Sequence, residues 1–267
     1  MIFVRDRGRM ANNMLQYGHV YAWGRAHGRQ TMSMRFAYKY QYFRICHTAH
    51  HHILAYLYAK FAAKTGLLHV VNFATPDVDY TAAEQEMLSR KQLIVEGWYA
   101  RWYDLFLKYK AEIISLFAFD DAVEQHVETL LNEGLRLGVH IRRGDYATFY
   151  GGRFLYSDEQ YTGVIRSFVQ QHPDEKITVY ICGNDPNLNR DYYRRQLGNC
   201  EVVFPDGNPG QDLCLLSHCH YLIGAPSTFT LVAAMYRDLP LYWIEDPDQQ
   251  VTADSFKRFD YLFQHIY

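Results

Sequence analysis

At 267 residues the chain exceeds the commonest domain size, which leaves one large domain or two small ones. Its 49 % hydrophobic and 21 % charged content is that of a globular protein with ample core material, not of a disordered chain. A formal net charge of −2 excludes a general pull toward nucleic acid or anionic membrane, so any anion site must be a local concentration of arginine.

Taken from the start, MIFVRDRG is too short and too soon charged for a signal peptide. Apolar runs predict strands over 2–4, 31–37, 67–73 and 93–95 in the first half. Helical length and period predict helices over 12–27, 48–64, 81–91 and 102–117, followed by a polar helix over 120–132. Further β-branched or aromatic runs, at 137–141, 177–181, 201–204, 221–223 and 241–244, predict the strands of the second half. Ser157 with Gln160 reads as a capping box, Asp185-Pro186 as a cap and first turn, and Pro226 precedes a cap at Ser227. Asp212 is placed to open another helix, and an amphipathic helix over 252–265 closes the chain. The run 213–236 is free of charge, but Gly224, Pro226 and several polar residues divide it, so it is no membrane span. Five cysteines at irregular spacing predict free thiols in a reducing compartment and hence a cytoplasmic protein.

Strands alternating with helices imply parallel sheets covered on both faces, and the length suits two such units, 1–134 and 135–267. Ligands of open α/β sheets sit beyond the carboxyl ends of strands. Three stretches occupy such places. In His140-Ile141-Arg142-Arg143-Gly144-Asp145-Tyr146 a strand ends in two guanidiniums, a rigid cationic fork suited to a diphosphate or carboxylate. An Arg–Asp pair stapling the loop would use the same residues. In Gly8-Arg9-Met10-Ala11-Asn12-Asn13-Met14-Leu15-Gln16-Tyr17 a glycine-bearing loop leads into a helix, either an anion or sugar site or an ordinary cap. In Gly224-Ala225-Pro226-Ser227-Thr228-Phe229-Thr230 the hydroxyls and a helix N-terminus favour phosphate, or merely cap. Asp212 would cap its helix or bind a ribose or base.

Together these stretches resemble the α-1,2-fucosyltransferases of glycosyltransferase family 11, whose signature is H-x-R-R-G-D-Y. The stretch from Gly8 resembles that family's G-G-L-G-N-Q-M-F-Q-Y, and Val95-Glu96-Gly97-Trp98-Tyr99 its L-x-G-Y-W-Q element. Asp212 to Cys219 followed by Ala225 to Thr230 resembles its D-L-x-L-M-S-x-C and N-S-S-F-S block, and the matches run in family order. Ala11 stands in place of a family glycine, and Pro226 within the N-S-S segment. The resemblance implies a GT-B-like fold, two Rossmann-type parallel-sheet domains facing a cleft. The amino-terminal one lies on the acceptor side and the other binds the nucleotide sugar. It implies inverting transfer of fucose from GDP-fucose to a glycan hydroxyl without a metal or other cofactor. Arg142 would neutralise the diphosphate with support from His140 and Arg143. Ser227, Thr228 and Phe229 would complete the nucleotide site, and Gly8 and Asn12 would meet the donor from the other domain. Asp145 is the first candidate for general base, with Glu96 and His140 behind it.

The expected partners are a sugar nucleotide and a glycan acceptor, with no nucleic acid and no transmembrane segment; peripheral membrane association stays open. Two competing functions remain: a catalytically silent nucleotide- or glycan-binding protein, and a transferase with another donor sugar. Weaker features are set aside. Asp77-Val78-Asp79 precedes a helix, where acids cap. His47 and His51 would share a helix face but lack an acidic partner, and Cys214, His218 and Cys219 read as a buried helix face.

Overall fold

The alternation of short apolar runs with amphipathic stretches builds two parallel sheets in the computed structural model, which describes residues 1–266. The chain divides into two compact units, the first Met1–Asp121 and the second from Ala122 onward. In the first, strands β1 (Ile2–Arg5), β2 (Thr31–Ser33), β3 (Val70–Asn72) and β4 (Leu93–Glu96) are ordered β2-β1-β4-β3. Helices α1 (Met10–Ala26), α2 (Ile53–Lys64) and α3 (Tyr80–Ser89) connect them, as parallel pairing requires. Helices α4 (Tyr103–Lys108) and α5 (Lys110–Leu116) complete the unit.

Helix α6 (Asp121–Glu128) begins at the division and belongs to the second unit. Its Val123 and Val127 are buried, and Glu124 accepts a 2.9 Å hydrogen bond from His218 of the same unit. The sequence-based boundary at 134 lies beyond that helix. The second sheet contains β5 (Leu135–Ile141), β6 (Ile177–Gly183), β7 (Glu201–Val203), β8 (Tyr221–Gly224) and β9 (Leu241–Trp243), in the order β7-β6-β5-β8-β9. Its helices are α7 (Asp158–Val169), α8 (Arg190–Gln196), α9 (Pro209–Ser217), α10 (Thr228–Arg237) and α11 (Phe259–Phe263). Alternation along β5 sends Leu137, Val139 and Ile141 into one core with Tyr161, Ile165 and Phe168 of α7. His140 therefore faces the opposite layer.

Several predicted elements are cut short by side chains distant in sequence. The 31–37 strand stops at Ser33, whose hydroxyl donates to Asp6 and accepts from the Phe36 N–H, turning the chain. The predicted helix over 48–64 begins only at Ile53, after a 3₁₀ turn at Arg44–His47, with His52 as its cap. The 102–117 helix breaks at Tyr109 (φ −103°, ψ 14°). The closing helix is interrupted because Lys257 and Leu241 exchange two 2.9 Å backbone hydrogen bonds, leaving a 3₁₀ turn at Ala253–Ser255 and α11. Among the described residues no helix is long and apolar enough to cross a membrane, and the five cysteines are free thiols.

Candidate functional site

Strand order locates the site before any side chain is considered. The chain builds β5, β6 and β7 outward in one direction, then returns to lay β8 and β9 on the other side of β5. The carboxyl ends of β5 and β8 therefore flank the topological switch point, where open α/β sheets bind ligands. Arg142 follows β5, and Ser227 follows β8.

Arg142 leaves the strand with its side chain only 14 % exposed. One amino group donates to Asp145 at 2.7 Å, and the guanidinium lies 5.5 Å from the Tyr146 ring centroid. Its Nε is buried and has no hydrogen-bond partner among the described residues. A buried guanidinium N–H left unpaired costs free energy, and an entering anion removes that cost. Gly144, at φ +69°, turns the chain so that Asp145 comes back within reach of Arg142.

Tyr146 joins this loop to the second half of the site. Its ring lies beside Arg142 and its hydroxyl donates to the Pro226 carbonyl, so the loop after β5 is tied to the turn after β8. Ser227 caps α10 by accepting the Thr230 N–H at 3.3 Å, which fixes the start of that helix beside the switch point. His140, 5 % exposed, stacks on Phe229 of the first turn of α10 at 4.7 Å and 24°. Arg142, Asp145, His140, Ser227, Thr228 and Phe229 thus belong to one constellation.

Arg143 does something else. Its Nη1 donates to Asp185 at 2.9 Å, Nη2 to Asp158 at 2.5 Å and Nε to the Tyr156 carbonyl at 3.2 Å. Burial works against its charge, but the two carboxylates outweigh that and raise its pKa further. All three nitrogens are engaged in binding the start of α7 and the loop after β6, so in this structure Arg143 clamps those segments together. The clamp also explains why Asp185-Pro186 does not open a helix: Asp185 is held by Arg143, and α8 starts at Arg190 under an Asn189 cap.

Asp212 does not open its helix either; Asn208 caps α9 through a capping box, and Asp212 lies in the first turn. Its Oδ1 is buried without a hydrogen-bond partner among the described residues. Burial pushes its pKa up to about 7, against the opposing hydrogen bond of the Cys182 thiol. Cys182 pairs in register with His140, which places the unsatisfied carboxyl on the His140 side of the sheet. A separate cavity, bordered by Ile141, Ile181, Gly183, Pro186, Leu188 and Phe204, lies on the opposite face.

In the first unit, Gly8 and Asn12 are neighbours. Gly8 has φ +91°, and a Cβ there would come within 2.8 Å of Asn12 Nδ2. Gln16 holds the loop by donating to the Arg7 carbonyl at 2.6 Å and accepting its N–H at 3.3 Å. Asn12 lies in the first turn of α1 rather than at its cap, which is Arg9. Gly8→Ala is expected to cost about 1–2 kcal/mol of stability by forcing a side chain into a left-handed conformation, and to displace Asn12; thermal unfolding checks it. Glu96 is bound by Arg5 at 2.6 Å and Arg7 at 3.1 Å. Burial alone would raise its pKa, but the two arginines more than reverse this, making it a poor proton acceptor. Sequence reasoning missed Asp6, a buried carboxyl at the end of β1 raised to about 7 by burial despite the Ser33 hydrogen bond. The signal was available: an aspartate directly after a short apolar strand and two residues before a glycine.

The weaker sequence features have structural roles. Asp79 caps α3 by accepting the Ala82 N–H at 3.0 Å. His47 has an acidic partner after all, Asp120 at 2.9 Å, and His51 is buried against Ser33 outside any helix shared with it. Glu124, Cys214 and His218 bring three ligand-type atoms within 4.8 Å of one another. A cation is already there, the Arg237 guanidinium 3.0 Å from His218 Nε2.

No protein-family model matches this chain, and no characterised sequence is similar enough to count as a match. Solved structures do match. A mutant of Arabidopsis thaliana FUT1 in complex with GDP aligns with a TM-score of 0.64 at 12 % identity, over 96 % of this chain and 73 % of that one. POFUT1 in complex with GDP-fucose aligns at 0.56 and 11 %, over 89 % and 93 %. The NodZ alpha-1,6-fucosyltransferase soaked with GDP-fucose aligns at 0.56 and 12 %, over 92 % and 97 %.

The fold is GT-B-like. At these identities the likeness is one of architecture, and it agrees with the expectation of two parallel-sheet α/β domains. Within the second domain of this GT-B-like chain, the buried arginine and the capped helix meet at the strand ends where such sheets bind ligands.

Proposed function

We propose that the chain is an inverting glycosyltransferase that moves fucose from GDP-fucose to a glycan hydroxyl, with the α-1,2 linkage its motifs resemble. One observation carries this proposal: the buried, unsatisfied Nε of Arg142 at the switch point, joined through Tyr146 to the start of α10. The fold shared with proteins solved with GDP and GDP-fucose supports the choice of donor. The second unit is then the donor half and the first the acceptor side.

In the reaction the acceptor oxygen attacks the anomeric carbon as the bond to the β-phosphate oxygen breaks, and GDP leaves with the electron pair. Arg142 and the N–H groups at the start of α10 neutralise that growing charge. His140, stacked on Phe229, holds the helix start against β5 and is a positioning residue. Diphosphate competes with Asp145 for Arg142, which frees the half-exposed Asp145 carboxylate to accept the acceptor's proton. Arg143 holds the loop that presents Arg142.

Asp212 is assigned to the base, whose N–H groups match a buried acceptor oxygen without a partner. A carboxyl raised to about 7 is partly protonated at neutral pH, and a base donating to it favours the ionised form. GDP binding near pH 7 should therefore release up to about one proton. Calorimetry in buffers of different ionisation enthalpy checks this: the apparent enthalpy should vary less with buffer for Asp212→Asn than for the wild type, the remainder coming from the terminal phosphate of GDP. The sign for stability is opposite to that of a paired aspartate. A folded pKa above the unfolded value means that this group's contribution is fully present below about 4 and is lost as pH rises through about 7.

Calorimetric titration with GDP-fucose, GDP-mannose and UDP-sugars, followed by product analysis with galactoside acceptors, tests the assignment. Tight binding and transfer confined to GDP-fucose support it. Preference for another sugar nucleotide would refute the donor, and GDP binding without either transfer or donor hydrolysis would mark a silent binding protein.

A further inference from the structure

Helix α2 is packed inside out. It faces the core of the first unit with its small residues: Ala59 and Ala62 are buried, and Ala55 and Ala63 partly so, against Phe3, Met32 and Ile94. The large apolar side chains point the other way. Leu54 is 69 % exposed and Phe61 61 %, with Ile53, Leu57 and Tyr58 exposed beside them, and Leu67 in the following turn is 71 % exposed. At the angular spacing of an α-helix these helical positions cover an arc of roughly 140°. A helix that serves only the fold of a soluble domain does the reverse.

The charge around this stripe names its partner. Positions 7–76 contain nine lysines and arginines and no acidic residue, an asymmetry that the balanced total conceals. Some of these cations are matched by acids from later in the chain, as Arg7 is by Glu96 and Arg25 by Glu112. On α2 itself Lys60 and Lys64 are exposed, border the apolar arc along one edge, and share the helix with no acid. Self-association through this face would bring those lysines near their own copies, which like-charge repulsion opposes. An apolar surface behind a negatively charged layer accommodates both features.

We infer that α2 is a membrane-docking helix that lies in the plane of an anionic lipid surface, with Leu54, Leu57 and Phe61 among the acyl chains and Lys60 and Lys64 at the headgroups. This is the geometry of an amphipathic helix at an interface, not a span. The inference is independent of the proposed catalytic function.

The test is co-sedimentation of the full chain with vesicles of phosphatidylcholine alone or mixed with phosphatidylglycerol. The wild type is expected to bind the mixed vesicles, more weakly as salt rises, and to bind neutral ones poorly. Leu54→Glu combined with Phe61→Glu should lower binding by about tenfold or more. Lys60→Glu combined with Lys64→Glu should remove the preference for anionic lipid. All these positions are exposed, so the unfolding temperature should stay at the wild-type value. Failure of the wild type to bind either vesicle would overturn the inference, as would equal binding by the variants. So would a wild-type dimer that the Leu54/Phe61 variant converts to monomer, since a second copy would then cover the stripe.

Discussion

Arg142→Lys is expected to lower kcat for the proposed fucosyl transfer by a factor on the order of 10²–10³, with thermal unfolding close to wild type. Lysine keeps the positive charge, so a loss of this size would show that geometry matters more than charge. The planar guanidinium offers its buried Nε and an amino group in one rigid fork, and an ammonium at the end of a flexible chain cannot present both. Donor KM should change less than kcat, because charge on the leaving diphosphate is greatest in the transition state. Stability should hold because Arg142's ion pair is with a half-exposed aspartate, and a lysine can keep that charge pairing beside the Tyr146 ring. Steady-state kinetics at several donor concentrations, alongside calorimetric melting, separate the two quantities. Near-normal turnover would remove Arg142 from the mechanism.

Its neighbour should behave in the opposite way. Arg143→Ala leaves Asp158 and Asp185, each about four-fifths shielded from solvent, without their shared cation. The expected cost is about 3 kcal/mol of folding stability, toward the lower end for a buried pair because some solvent still reaches these groups. In a chain of this size that corresponds to a fall in Tm of roughly 6–12 °C. Activity measured well below the new Tm should fall far less than in the Arg142 variant. If Arg143→Ala melted like the wild type yet abolished transfer, the clamp role would be wrong and direct contact with the donor restored.

The contrast between these adjacent arginines shows what the sequence could and could not reveal. The cationic cluster at the end of an apolar run was legible, and so was its place on a parallel strand. The engagement of Arg143 was not, because it depends on Asp158 and Asp185, fifteen and forty-two residues away, which folding brings to it. The parallel sheets were legible because β-branched and aromatic runs alternated with helical patterns. Element ends were lost wherever tertiary contacts decided them. The Ser33–Asp6 bond stops β2, and the Lys257–Leu241 bridge splits the final helix. In α2 the apolar periodicity announced a helix, but periodicity does not say which face meets the core. Alanine packs closely enough to win that position, and the larger side chains are left outside.

Whether Arg142 grips the pyrophosphate of a nucleotide donor is tested most directly by calorimetric titration of wild type and Arg142→Ala with GDP and with guanosine. The substitution is expected to weaken GDP binding by about tenfold or more while guanosine binds both proteins equally. Equal affinity of the two proteins for GDP, or a matching loss for guanosine, would contradict that grip.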